Sequence, residues 1–127
     1  MPRYFTLVEA NQTLEAIRPM MEEIQSIRGT ILAHQPEAWP AVERAAGKGG
    51  SHAASLLALD FGRLDDLVHQ IMDTGTLIKD LDTGLLDFPA LRKGQEVYLC
   101  WQFGEPRIDF WHEIEAGFAG RRPIERF

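Results

Sequence analysis

The chain has 127 residues, enough to bury one core but short for two. Apolar residues make up 45%, charged residues 25%, and the net charge is −6, so the composition is that of an ordinary globular protein whose field disfavours nucleic acid as a partner. The single cysteine, Cys100, excludes an internal disulfide, and no apolar run resembles a signal peptide or approaches the roughly 20 residues of a membrane span; the protein therefore reads as cytoplasmic, with no membrane association.

The first helix begins at Thr6, where Thr6-Leu7-Val8-Glu9 fits a capping box. Leu7, Ala10, Leu14, Ile17, Met21, Ile24 and Ile31 recur at alternating spacings of a coiled-coil seam, broken by Arg28. Pro19 predicts a kink near Glu15 to Pro19 rather than a stop, and Pro36 ends the helix near His34. Gln35 to Gly50 reads as a connection with a short helical turn over Ala41 to Ala46. Within it, Gly47-Lys48-Gly49-Gly50-Ser51 faintly resembles a phosphate loop. It lacks the first glycine at the required spacing and the preceding strand, so a mobile loop is the better reading. Ser51 caps the second helix, whose seam is Leu57, Phe61, Leu64, Val68 and Ile71, widened by Leu56, Leu59 and Leu67 and stopped by Gly75. The two helices should pack antiparallel as a hairpin. Their remaining apolar surface needs cover from the downstream β-module or from a second chain, which makes a homodimer through the helical hairpin an expectation.

From Thr76 the period changes to alternation. Thr76 to Leu81 is a short strand, Asp82-Thr83-Gly84 a turn, and Leu85 to Phe88 a second strand ended by Pro89. Arg92-Lys93-Gly94 is a turn, and Gln95 to Gln102 and Arg107 to His112 are the strongest strands, joined as a hairpin through Phe103-Gly104-Glu105-Pro106. With Gly104 and Glu105 as a two-residue turn, Trp101 faces Ile108, Leu99 faces Phe110 and Val97 faces His112. That register sends this apolar set toward the helices and puts Cys100 and His112 on opposite faces. The expected architecture is α+β in a single domain over 1–127: a long, coiled-coil-like antiparallel helical hairpin over about 6–75, then a small antiparallel sheet of three to four strands and a tail over about 76–127.

Gly84-Leu85-Leu86-Asp87-Phe88-Pro89-Ala90, Leu99-Cys100-Trp101 with Gly104-Glu105, Trp111-His112, and Gly117-Phe118-Ala119-Gly120-Arg121 with Pro123-Ile124 carry a resemblance. So do Tyr4-Phe5-Thr6, Glu9-Ala10-Asn11 and Arg18-Pro19 at the start. Together they resemble the bacterial "domain of unknown function 2203" family over nearly the whole chain, least in His34 to Ser51. The resemblance implies an α+β fold and a bacterial setting; it implies no activity, cofactor or catalytic residue.

The chemistry-bearing residues gather in the β-module. A divalent metal is the sharpest enzymatic idea, since hydrolytic sites take His and carboxylate ligands. Candidate ligands are His112 with Glu113, then Glu105, Asp87, Asp82, Asp80 and Cys100, although no pair has a recognised ligand spacing. A packed histidine is the competing reading of His112. Cys100 is a nucleophile only if a base or a positive charge such as Arg107 lowers its pKa; otherwise it is a small buried residue. Asp82 reads as a turn residue bonding its own backbone, and Asp87 as a carboxylate paired with a tail arginine such as Arg121. The tail, with Gly117, Gly120, Arg121, Arg122 and Arg126, either holds a phosphate or carboxylate or straps across the sheet with Phe118 and Ile124 as anchors. Trp101 and Trp111 on opposite faces imply that both faces are covered or that one binds a partner.

The leading reading is a non-enzymatic module that binds a protein or small-molecule partner through the β-module and tail, with Asp87, Glu105, Trp111, His112 and Arg121 as binding residues. The alternatives are a small metal-dependent enzyme using His112 and nearby carboxylates, and a regulatory protein touching RNA or the ribosome through its arginine-rich tail.

Overall fold

The computed structural model describes residues 3–47 and 58–125. The phosphate-loop-like stretch after Gly47, the expected helix start at Ser51, and Leu56 and Leu57 of the second seam lie outside the described residues.

Helix α1 spans Leu7–His34. The Thr6 hydroxyl accepts from the Glu9 amide at 3.1 Å, and the Thr6 amide donates to the Glu9 carboxylate at 2.9 Å, so the reciprocal capping box sets the start. The helix runs through Pro19 and ends where Pro36 opens a 3-10 turn, Pro36–Ala38, followed by α2, Trp39–Ala45. Helix α3 spans Ala58–Asp73 and contacts α1. The seam residues Ala10, Leu14, Ile17, Met21, Ile24 and Ile31 are buried, and so are Phe61, Leu64, Leu67, Val68 and Ile71 of α3. The break in the first seam has its own use: Arg28 pairs with Asp82 at 2.6 Å and lies over the Trp39 ring.

One antiparallel sheet of five strands follows in sequence order: β1 (Leu77–Asp80), β2 (Leu85–Arg92), β3 (Gln95–Gln102), β4 (Phe110–Glu113) and β5 (Arg122–Pro123). The sheet is larger than the expected three to four strands because the tail adds β5 and β2 does not stop at Pro89. Pro89 is tolerated because it lies beyond the end of β1. Its carbonyl accepts from the Phe5 amide at 2.7 Å, so its missing N–H lies on that same side and costs the β2–β3 ladder nothing. Lys93 and Gly94, both at positive φ, make the two-residue turn between β2 and β3. Among the described residues, no helix is long and apolar enough to cross a membrane.

The helix-facing side of the sheet carries Leu86, Phe88, Ala90, Val97, Leu99, Trp101 and Trp111, all buried in one cluster with the seams of α1 and α3. Removing a large apolar side chain of this kind from water stabilises by about 1.5–3 kcal/mol, so this row sets which way the strands face. The sheet thereby covers the helical seams.

The expected register of the last hairpin is corrected. Tyr98 lies opposite His112, Leu99 opposite Trp111 and Cys100 opposite Phe110, one residue out of step with the two-residue-turn alignment. A tight turn on Gly104 and Glu105 would need Pro106 to donate a backbone N–H, which proline lacks. The chain instead turns with the Glu105 amide on the Gln102 carbonyl at 3.0 Å, then runs irregularly to Asp109. This connection is moored to other groups. Arg18 donates to the carbonyls of Glu105 and Pro106 at 3.2 and 2.6 Å, the Trp101 indole donates to Glu105 O at 2.9 Å, and the Ile108 amide donates to Asn11 at 3.0 Å. A slip of one residue exchanges the two faces of a strand. Trp111, not Phe110 or His112, therefore joins the core, and His112 moves to the face that carries Cys100.

Candidate metal centre

The alternation that buries Leu86 and Phe88, Leu99 and Trp101, and Trp111 on the helix side forces Asp87, Cys100 and His112 to the other face. Asp87 lies opposite Cys100 on β3; His112 lies on β4, one position along the same face. One donor atom from each of the three lies within 4.8 Å of the others. All are buried: Asp87 is 2% exposed, His112 2% and Cys100 0%.

The imidazole is fixed at both ends. His112 Nδ1 is 2.8 Å from the Glu113 carbonyl and Nε2 is 3.0 Å from Asp87 Oδ1. A carbonyl only accepts, so Nδ1 carries a hydrogen, and the Nε2–Oδ1 contact holds a second one. Nε2 is therefore the ring atom turned toward Asp87 and Cys100. A backbone carbonyl on the far nitrogen is the arrangement that orients histidine ligands in metal sites. Tyr98 stacks edge-on against the imidazole, with ring centroids 5.6 Å apart, and Lys79 lies over the Tyr98 ring.

Burial pushes the Cys100 thiol from its ordinary 9.0 up to about 12, helped by the Asp87 charge, while Arg121 pulls the other way. The thiol is thus neutral near pH 7, the opposite of an activated nucleophile. Arg107, the expected activator, is on the surface with Asp109 at 2.8 Å.

A strap of the C-terminal residues 116–124 lies along the edge of the sheet at β4. Its strand β5 pairs with Phe110 and Trp111, and the Ile124 amide donates to Asp109 O at 2.8 Å. Arg121 does not pair with Asp87. It donates to the Cys100 carbonyl at 3.2 Å and to Glu105 at 2.6 Å, with its guanidinium over the rings of Phe110 and Phe118. Glu105 also accepts from the Gln102 amide at 2.6 Å and is engaged in the strap's clasp, not at the cluster.

The remaining candidates lie elsewhere. The Glu113 carboxylate is exposed and 3.4 Å from Arg122; only its carbonyl reaches His112. Asp80 caps the turn by accepting from the Asp82 amide and the Thr83 hydroxyl at 3.0 Å each, whereas Asp82 accepts from Arg28 and from the Trp39 indole at 3.1 Å. The backbone-capping role expected of Asp82 thus belongs to Asp80. Trp111 is a core residue flanked by the guanidinium groups of Arg92 and Arg122, 4.6 and 5.3 Å from its ring centroid. What sequence reasoning missed is the assembly of Asp87, Cys100 and His112. Pro106 was the available signal, since it bars the turn on which the wrong register rested.

A family model described as "Uncharacterized conserved protein (DUF2203)" matches residues 3–124. No curated protein and no solved structure matches the chain. The match spans nearly the whole sequence, and the chain belongs to the DUF2203 family.

Proposed function

We propose that the protein is a non-enzymatic binding module whose bound species is a single metal ion, held by Asp87, Cys100 and His112 on the sheet face turned away from the helices. The observation that carries this reading is the convergence of a thiol, an imidazole nitrogen and a carboxylate within 4.8 Å on one face of three adjacent strands. An apolar interior makes such a group of donors costly unless every member is satisfied, and one cation satisfies all three at once. Burial favours a holding role over catalysis. Catalytic metal sites keep an open position for water or substrate, whereas these side chains are all but inaccessible. The helices then act as the scaffold that fixes the face of each strand.

The test is the metal content of protein purified without an affinity tag, for the wild type and for His112→Ala. The reading predicts one ion per chain, lost in the variant. Metal-free protein that resists reconstitution would contradict it and leave the cluster as a buried hydrogen-bond network.

A further inference from the structure

We infer that this site takes a thiophilic divalent ion of the zinc class, ligated by Cys100 as thiolate, by His112 through Nε2 and by Asp87 through both carboxylate oxygens. The inference rests on the cation-site reading and adds the kind of ion and the closed shell.

Three features of the donor set carry it. The first is chemical type. Sulfur, imidazole nitrogen and carboxylate oxygen together suit zinc and its spectroscopic substitute cobalt(II). Magnesium and calcium want six or more oxygen donors, several of them water, and one carboxylate on a buried face cannot provide them. The second feature is charge. A thiolate, a carboxylate and a neutral imidazole carry two negative charges, which a dication cancels, while copper(I) would leave one negative charge buried. The thiol proton and the proton between His112 and Asp87 pass to solvent as the ion enters. Arg121 lies beside Cys100, and its own charge is paired with Glu105 2.6 Å away. The third feature is geometry. Metal–ligand bonds of about 2.0–2.3 Å place tetrahedral donors roughly 3.3–3.8 Å apart. Nε2 and Oδ1 are already at 3.0 Å, and the sulfur is within 4.8 Å of an imidazole nitrogen and of an Asp87 carboxylate oxygen, so small side-chain shifts bring the donors together. With Asp87 bidentate, four donor atoms fill the shell without water, distorted from a tetrahedron because the two carboxylate oxygens share one carbon and lie close together.

The experiment titrates metal-stripped full-length protein with Co²⁺ and follows the absorption spectrum. The expected result is a near-ultraviolet sulfur-to-cobalt band together with intense visible bands of four-coordinate cobalt, saturating at one ion per chain. Stoichiometric Zn²⁺ should erase these bands; a hundredfold excess of Mg²⁺ or Mn²⁺ should not. In Cys100→Ser the near-ultraviolet band should vanish and Co²⁺ affinity should fall at least tenfold; should that variant not fold, the wild-type spectrum and its competition series decide. Binding with a weak six-coordinate spectrum, or equal competition by Mg²⁺ or Mn²⁺, overturns the ion class and leaves the cation site standing. Failure of all four ions to bind overturns the cation site and the inference with it.

Discussion

His112 Nε2 lies 3.0 Å from Asp87 Oδ1 although the two residues are on strands that do not touch: β3 runs between them and contributes Cys100. The contact exists because a diagonal across three strands puts both on one face. Removing one partner of this buried hydrogen-bonded pair leaves the other unsatisfied, at a cost of about 1–3 kcal/mol or more. In metal-stripped protein, His112→Ala should lose stability of that order in urea unfolding. Asp87→Asn, which keeps shape and part of the hydrogen bonding, should lose about 1–3 kcal/mol. Near-zero effects in both would mean that the pair is not formed.

In metal-stripped protein the Cys100 thiol, pushed up to about 12, should resist alkylation in the folded state at pH 8 and react fully in denaturant. The sign of the linked stability follows from the folded value lying above the ordinary 9.0. The fold favours the protonated thiol, so this contribution is complete below about 9 and declines as pH rises toward about 12. Cys100→Ala should flatten that alkaline decline. Fast native alkylation at pH 8 would contradict the burial.

Much of this was legible in the residues. The capping box at Thr6 and Glu9, the helix end ahead of Pro36, the turn at Lys93-Gly94 and the limits of β3 follow from local rules that tertiary context did not override. The failures have a common origin in long-range ties. Pro89 could remain within β2 because the Phe5 amide meets its carbonyl, far away in sequence. The register of β4 depends on Arg18 and Asn11 of α1, which hold the loop before it. Periodicity reads which residues alternate but not which of two phases the partner strand adopts. The candidate site was therefore visible as separate residues, Asp87, Cys100 and His112, and hidden as a cluster.

The two neighbouring arginines of the strap should behave differently. Arg121 is largely buried, with Glu105 and the Cys100 carbonyl as acceptors; Arg122 is 60% exposed, with Glu113 at 3.4 Å. Arg121→Ala should cost about 1.5–3 kcal/mol and speed hydrogen exchange at the Ile124 amide. Arg122→Ala should change stability by less than about 1 kcal/mol. Equal effects would reject Arg121 as the clasp.

Gly84 sits at φ +73, and a Cβ built there would stand 2.5 Å from the Cβ of Phe103. Gly84→Ala combines left-handed backbone strain with overpacking against a chain that also bonds to its carbonyl, and should destabilise by about 3 kcal/mol. Thermal unfolding measures this; a neutral substitution would mean the turn relaxes freely.

Asp87, Cys100 and His112 are proposed to share one ion. The most direct test is an anomalous difference map from a crystal of the protein grown with Zn²⁺, collected on both sides of the zinc edge. One strong peak per chain is expected between Cys100 Sγ, His112 Nε2 and the Asp87 carboxylate. A map with no peak there, or with zinc only at surface carboxylates such as Glu113, would contradict it.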